Sequence, residues 1–107
     1  MRSKEEILGV SESFHAKMEE YRRSSNPSWK EKIALEMGKI LLPLRGTRIS
    51  FYQHSFERWY DMHQPSSTVF GAPVPTLEML QDIEDVLSII ATSNEEEFSW
   101  ATSQFGL

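Results

Sequence analysis

Apolar residues three and four positions apart, following a serine that has Glu or Gln three residues later, recur in this chain at Ser3/Glu6, Ser28/Glu31, Ser50/Gln53 and Ser93/Glu96. The serine hydroxyl can accept from the third amide of a helix while the acid or amide side chain returns to the serine N–H. The spacing of three and four matches a period of 3.6 and not the period of two of a strand. Repeated along the chain, the pair of signals restricts it to amphipathic helices, each of which must bury one stripe.

The first helix is expected over residues 4–23, with Ile7, Val10, Phe14, Met18 and Tyr21 on one stripe. The second covers 27–42, with Ser28 or Asn26 as cap, Pro27 in the first turn, and Trp29, Ile33, Met37, Ile40 and Leu44 facing inward. Pro43 and Gly46 then interrupt it. Residues 51–62 read best as a third helix, with Tyr52, Phe56, Trp59 and His63 in line. TRISFY also has the β-branched and aromatic content of a strand, so residues 47–54 stay open between the two. Three prolines and a glycine make 64–75 a loop, with Val69 and Phe70 as candidates for tucking inward. A fourth helix over 77–92 carries Leu80, Ile83, Leu87 and Ile90. A short fifth follows Ser93, with Phe98, Ala101 and Phe105 on one side and Trp100 near another. The expected fold is an all-α single domain, residues 1–107, a bundle of four to five helices with one Pro-rich crossing loop.

A chain of 107 residues suffices for one core. It contains no cysteine, which excludes disulfides, thiolate metal sites and a cysteine nucleophile. The N-terminal MRSKEEILGVSESF has acids where a signal peptide needs an apolar run, and no stretch approaches the roughly 18 to 20 apolar residues of a membrane span. A cytoplasmic location without membrane contact is expected.

Charge is segregated along the chain. All 11 Lys and Arg lie at or before Arg58; against eight Glu they leave residues 1–58 at +3, while residues 59–107 hold eight acids and no cation, at −8. Within the first half, residues 22–58 set eight cations against Glu31, Glu36 and Glu57, a basic block of +5. The acidic half can pair with that block in its own chain, with a second copy in a homodimer, or with a basic partner protein whose approach it accelerates.

Residues suited to catalysis or metal binding have ordinary alternatives. His54, Glu57 and Asp61 share a helix face at spacings of three and four, yet the solvated face of any helix contains such a set, and His63 falls on the aromatic stripe. His15 has Glu12 and Glu19 as possible neighbours. No Gly-rich phosphate loop occurs, and Ser3, Ser28, Ser50 and Ser93 have capping roles. Neither a catalytic residue, a metal site nor a cofactor is therefore assigned.

Two binding surfaces remain. Three Trp and six Phe are many for one small core. Trp100 and Phe105 are the expected exposed anchors for a protein partner, with Glu78, Asp82, Asp85, Glu95, Glu96 and Glu97 as the acidic face that steers it. The alternative is nucleic acid: Arg45, Arg48 and Arg58 bracket a helix whose outer side would offer Gln53, His54 and Arg58 to phosphates and base edges. Residues 75–87, PTLEMLQDIEDVL, resemble the closing segment of repressor-type helix-turn-helix domains through Pro75, Leu77, Leu80, Ile83 and Leu87. The likeness implies a DNA-binding regulator. The chain departs from the pattern at Glu84, where that family has a small residue, and shows no helix-turn-helix core upstream at the family's spacing. The favoured expectation is a non-catalytic adaptor or inhibitor.

Overall fold

A computed structural model describes residues 3–63 and 74–107. It contains α1 (Lys4–Arg23), α2 (Pro27–Ile40), a 3-10 turn (Leu42–Leu44), α3 (Gln53–Met62), α4 (Leu77–Ala91) and α5 (Glu95–Phe105), and no strand among the described residues. The chain is all-α, as the apolar spacing requires, and no described helix is long and apolar enough to cross a membrane. Residues 64–73, which hold most of the expected crossing loop together with Val69 and Phe70, lie outside the described residues.

The longest helix organises the rest. Ile7, Val10, Phe14, Met18 and Tyr21 are all buried, and α1 packs along both α2 and α4. Its N-terminal Lys4 donates to the Ser93 carbonyl just beyond α4, while Tyr21 near its C-terminus donates to the Pro75 carbonyl just before α4, at 2.7 Å. The two helices therefore run antiparallel. Lys17 reaches Glu36 across the α1–α2 face at 2.6 Å. Burying side chains such as Phe14 or Leu87 contributes roughly 1.5–3 kcal/mol each, so these stripes dominate the fold's stability. α3 closes the core from α2 and α4 with Phe56 and Trp59, whose rings stack at 6.0 Å.

Several local expectations need correction. Ser3 does cap α1, accepting from Glu6 N–H at 3.2 Å. Ser28 caps nothing, because Pro27 already occupies the first turn; Asn26 accepts from the Ser28 and Trp29 amides at 2.9 and 3.2 Å. Ser93 is spent on the Ile90 carbonyl at 2.6 Å, and Asn94 forms the capping box with Glu97 instead. Trp29 is 55% exposed, not buried. It stands in the first turn of α2, where Lys32 lies over its ring at 5.1 Å. Leu44 is fully buried, but from the 3-10 turn and not from α2, which ends at Ile40.

Residues 47–54 are neither a strand nor a helix throughout. Residues 47–50 have no regular structure, 51–52 form a turn, and α3 starts at Gln53. The helix phase puts Gln53, Phe56 and Trp59 inside, while Phe51 is exposed and Tyr52 half-buried. The Ser50/Gln53 pair is displaced by one residue from a capping box. Ser50 Oγ accepts from Tyr52 N–H at 3.2 Å, and Gln53 Oε1 accepts from Ile49 N–H at 3.1 Å.

Candidate binding groove between the fourth and fifth helices

Over about three turns of α4, Leu80, Ile83, Leu87 and Ile90 take the inner positions. Val86 and Ile89 fall beside that stripe, so the core cannot enclose them, and Ile89 is left 67% exposed. The chain then reverses in a short turn that leaves few polar groups unmet. Thr92 Oγ1 donates to the Ser88 carbonyl at 2.8 Å, and Asn94 exchanges bonds with Glu97 at 2.8 and 2.9 Å to start α5. The far end of α5 is fixed as well. Gly106 adopts a left-handed φ of 71°, Leu107 is buried, and the Phe105 carbonyl accepts from Arg48 N–H at 3.1 Å.

Tethered at both ends, α5 turns Ala101 inward and leaves a trough of about 780 Å³ against α4. Its lining is largely apolar: Val86, Ile89 and Ile90 from α4, Trp100, Ala101 and Phe105 from α5, and Ile49 from the segment before α3. Trp100 and Phe105 meet edge to face at 5.8 Å and 85°, with Trp100 60% exposed. Glu96 and Glu97 line the same trough.

Acids outnumber cations around it: Glu96 and Glu97 line the trough, and Lys4 reaches the Ser93 carbonyl at its edge. Among the described residues, Glu84 is the one acid of α4 and α5 within ion-pair distance of a basic side chain, 3.2 Å from Arg22 and 2.9 Å from His15. His15 thus finds its partner on α4, not at Glu12 or Glu19. Asp85 accepts from Gln81 at 2.7 Å, and Asp82 from Ser50 Oγ. Glu78 accepts from Tyr52 OH at 3.3 Å, and its negative charge raises the Tyr52 phenol above its usual pKa.

The expected protein-binding residues therefore divide. Trp100, Phe105, Glu96 and Glu97 converge on the trough, and Glu95 is exposed one residue before Glu96. Phe105 is half-buried, so it serves more as wall than as a free anchor. Glu78 and Asp82 bind the start of α3, and Asp85 faces the crease between α1 and α4. Val86, Ile89 and Ile49 complete the trough without having been expected there. The adjacent pair Ile89–Ile90 held a signal, because a single stripe can bury only one of two consecutive residues.

The expected nucleic-acid contacts disperse further. Gln53 is 3% exposed, and its Nε2, with two hydrogens to share, lies 3.1 Å from each of the Leu44 carbonyl, Thr47 Oγ1 and Glu57, so its amide faces the protein and not solvent. Arg45 is held by both oxygens of Asp61, at 2.5 and 3.2 Å, which raises its pKa further. Arg48 and His54 remain, lining a shallow polar hollow of about 530 Å³, and Arg58 is exposed. The metal candidates are similarly engaged: Asp61 with Arg45, Glu57 with Gln53, and His63 stacked on Trp59 at 4.3 Å. No cluster of three His, Asp or Glu that could hold a metal occurs among the described residues. No protein-family model, curated protein or solved structure matches this chain.

Proposed function

We propose that this chain is a non-catalytic interaction module of the cytoplasm, a small adaptor or inhibitor that holds a partner protein in the α4–α5 trough. The observation that carries the reading is the exposure of Ile89 and Trp100 on facing walls of one apolar trough rimmed by Glu96 and Glu97. Isolated exposed apolar side chains are ordinary, but a concave group bordered by charge is the usual form of a contact surface. Trp is also the residue type most often found to anchor such contacts. The acids whose charge no neighbouring cation offsets would favour encounter with a basic partner, and their effect would be greatest at low salt.

Site-specific photo-crosslinking in living cells tests the reading. A photoreactive residue at position 100 should yield a discrete protein adduct, while one at position 31, exposed on α2, should not. Absence of an adduct from position 100, or the same adducts from both positions, would reject it.

A further inference from the structure

Resting on the trough as a binding surface, we propose that its occupant is a cationic amphipathic helix of a partner protein. Apolar side chains at positions i, i+3, i+4 and i+7 of that helix fill the trough, and its Lys or Arg residues lie over the acidic rim.

Backbone chemistry selects a helix. An extended peptide laid on the trough would meet a largely apolar wall, and the described residues contain no sheet edge for it to extend. Its N–H and C=O groups would lose water without gaining partners, whereas a helix satisfies its own backbone. The dimensions agree. The trough follows α5 from Glu96 to Phe105. Nine residue steps at about 1.5 Å give about 13 Å, enough for the roughly 10.5 Å between the first and last of four such anchors.

Charge selects the sign. The trough is lined by Glu96 and Glu97 from the first turn of α5, with Glu95 beside them, against Lys4 at the Ser93 carbonyl, so acids predominate. An acidic helix would be repelled. Glu96 and Trp100 are four residues apart and so lie on one face of α5. A cation reaching Glu96 would also lie beside the exposed indole, which adds cation–π attraction.

A second copy of this chain is a poorer occupant despite its basic block. The helical stripes of α1 to α4 are consumed by the core, and among the described residues the large apolar side chains left outside are scattered, such as Leu8 on α1, Trp29 on α2 and Met62 on α3. None of these offers the row of four that the trough accommodates.

The test uses the full chain, ¹⁵N-labelled, and two synthetic peptides of about 16 residues. Both carry Leu at i, i+3, i+4 and i+7; one has Lys and Arg at the remaining positions, its twin Glu. The cationic peptide should shift amide signals of residues 86–105 and become helical, and its Kd should rise about tenfold between low and physiological salt. Glu96→Lys should weaken it about tenfold and Ile89→Asp should abolish it. Both side chains are exposed, so these variants should keep the wild-type circular dichroism. Equal binding of the acidic twin, shifts centred elsewhere, or unchanged affinity of Ile89→Asp would overturn the proposal. So would self-association through residues 86–105 without peptide. A crosslinked adduct from position 100 alongside no response to the cationic peptide would reject the helix and leave the interaction module standing; no adduct would remove both.

Discussion

Replacing Gly38 with alanine sets two effects of opposite sign against each other, and the structure indicates which wins. Gly38 is buried in the last turn of α2, where alanine would gain up to about 1 kcal/mol of helix propensity. A Cβ built there would lie 2.2, 2.8 and 2.9 Å from Cδ2, Cγ and Cε2 of Tyr60 on α3. Ordinary carbon contacts fall near 3.5–4.0 Å, so the ring or one of the helices must move by about 1 Å. The obstructing atoms include Cγ, next to the Tyr60 backbone, so a small rotation of the ring tip does not relieve the overlap. Overpacking of this kind costs roughly 1–3 kcal/mol. The net expectation is a destabilisation of up to about 2 kcal/mol, or a fall in Tm of order 10 °C for a domain of this size. Urea denaturation followed by circular dichroism measures it. The decisive comparison is with Tyr60→Ala, because the same glycine substitution in that background should stabilise by up to about 1 kcal/mol once the ring is gone. If Gly38→Ala has the same effect in both backgrounds, the close approach of α2 and α3 is not what requires glycine.

Gln53→Leu should cost about 2–3 kcal/mol by urea denaturation, because it fills a similar volume but leaves the buried Ile49 N–H without its acceptor; a loss below about 0.5 kcal/mol would contradict the network. Tyr21→Phe should cost about 1 kcal/mol near neutrality through loss of the bond to the Pro75 carbonyl, and should also flatten the alkaline limb of the stability curve. Burial raises the Tyr21 phenol above its usual 10, so the unfolded chain releases that proton first. Its contribution is complete below pH 10 and is lost as pH rises through the folded value, a component that the variant lacks. Lys17 and Arg45 are raised too, by hydrogen bonds to Glu36 and Asp61 respectively, so the informative quantity is the difference between the wild-type and variant slopes. Asn94→Ala should remove about 1 kcal/mol and speed hydrogen exchange in α5 more than in α1; equal acceleration in both would show that α5 unfolds only with the whole bundle.

Legibility in the sequence followed the range of the interactions involved. The stripes of α1 and α4 could be read because each helix buries one face by its own periodicity, and Ile7 to Tyr21 or Leu80 to Ile90 need no knowledge of the partner. Caps are legible in part: Ser3 caps α1 and Asn26, the alternative to Ser28, caps α2, whereas Ser93 gives way to Asn94. Ser93 and Asn94 are both competent caps, and the choice depended on which carbonyl at the end of α4 needed a donor. Spacing places Gln53 on the outer side of α3 because it compares a residue only with its own helix. The polar side chain of Gln53 is drawn inward by the Ile49 amide, whose need for an acceptor arises from the irregular path of residues 47–50. Trp29 has the right phase for the core, but the first turn of α2 leaves the indole in solvent.

The trough was half legible for the same reason. Trp100 and Phe105 stand out as surplus aromatics on a short helix, yet the surface they form exists only because α5 folds back along the outer edge of α4. That fold-back depends on groups far apart in sequence: the Asn94 box at one end, and Leu107 with the Arg48 amide at the other. Residues 47–50 therefore do more than connect α2 to α3. Ile49 supplies a wall of the trough, Arg48 N–H holds the last turn of α5, and Gln53 fixes the Ile49 amide from beneath. The buried polar network and the exposed apolar surface are thus two sides of one segment. A perturbation of the network by Gln53→Leu should reach the trough through Ile49, whereas Gly38→Ala, which meets Tyr60 seven residues along α3 from Gln53, should lower stability and leave trough chemistry in the folded fraction unchanged.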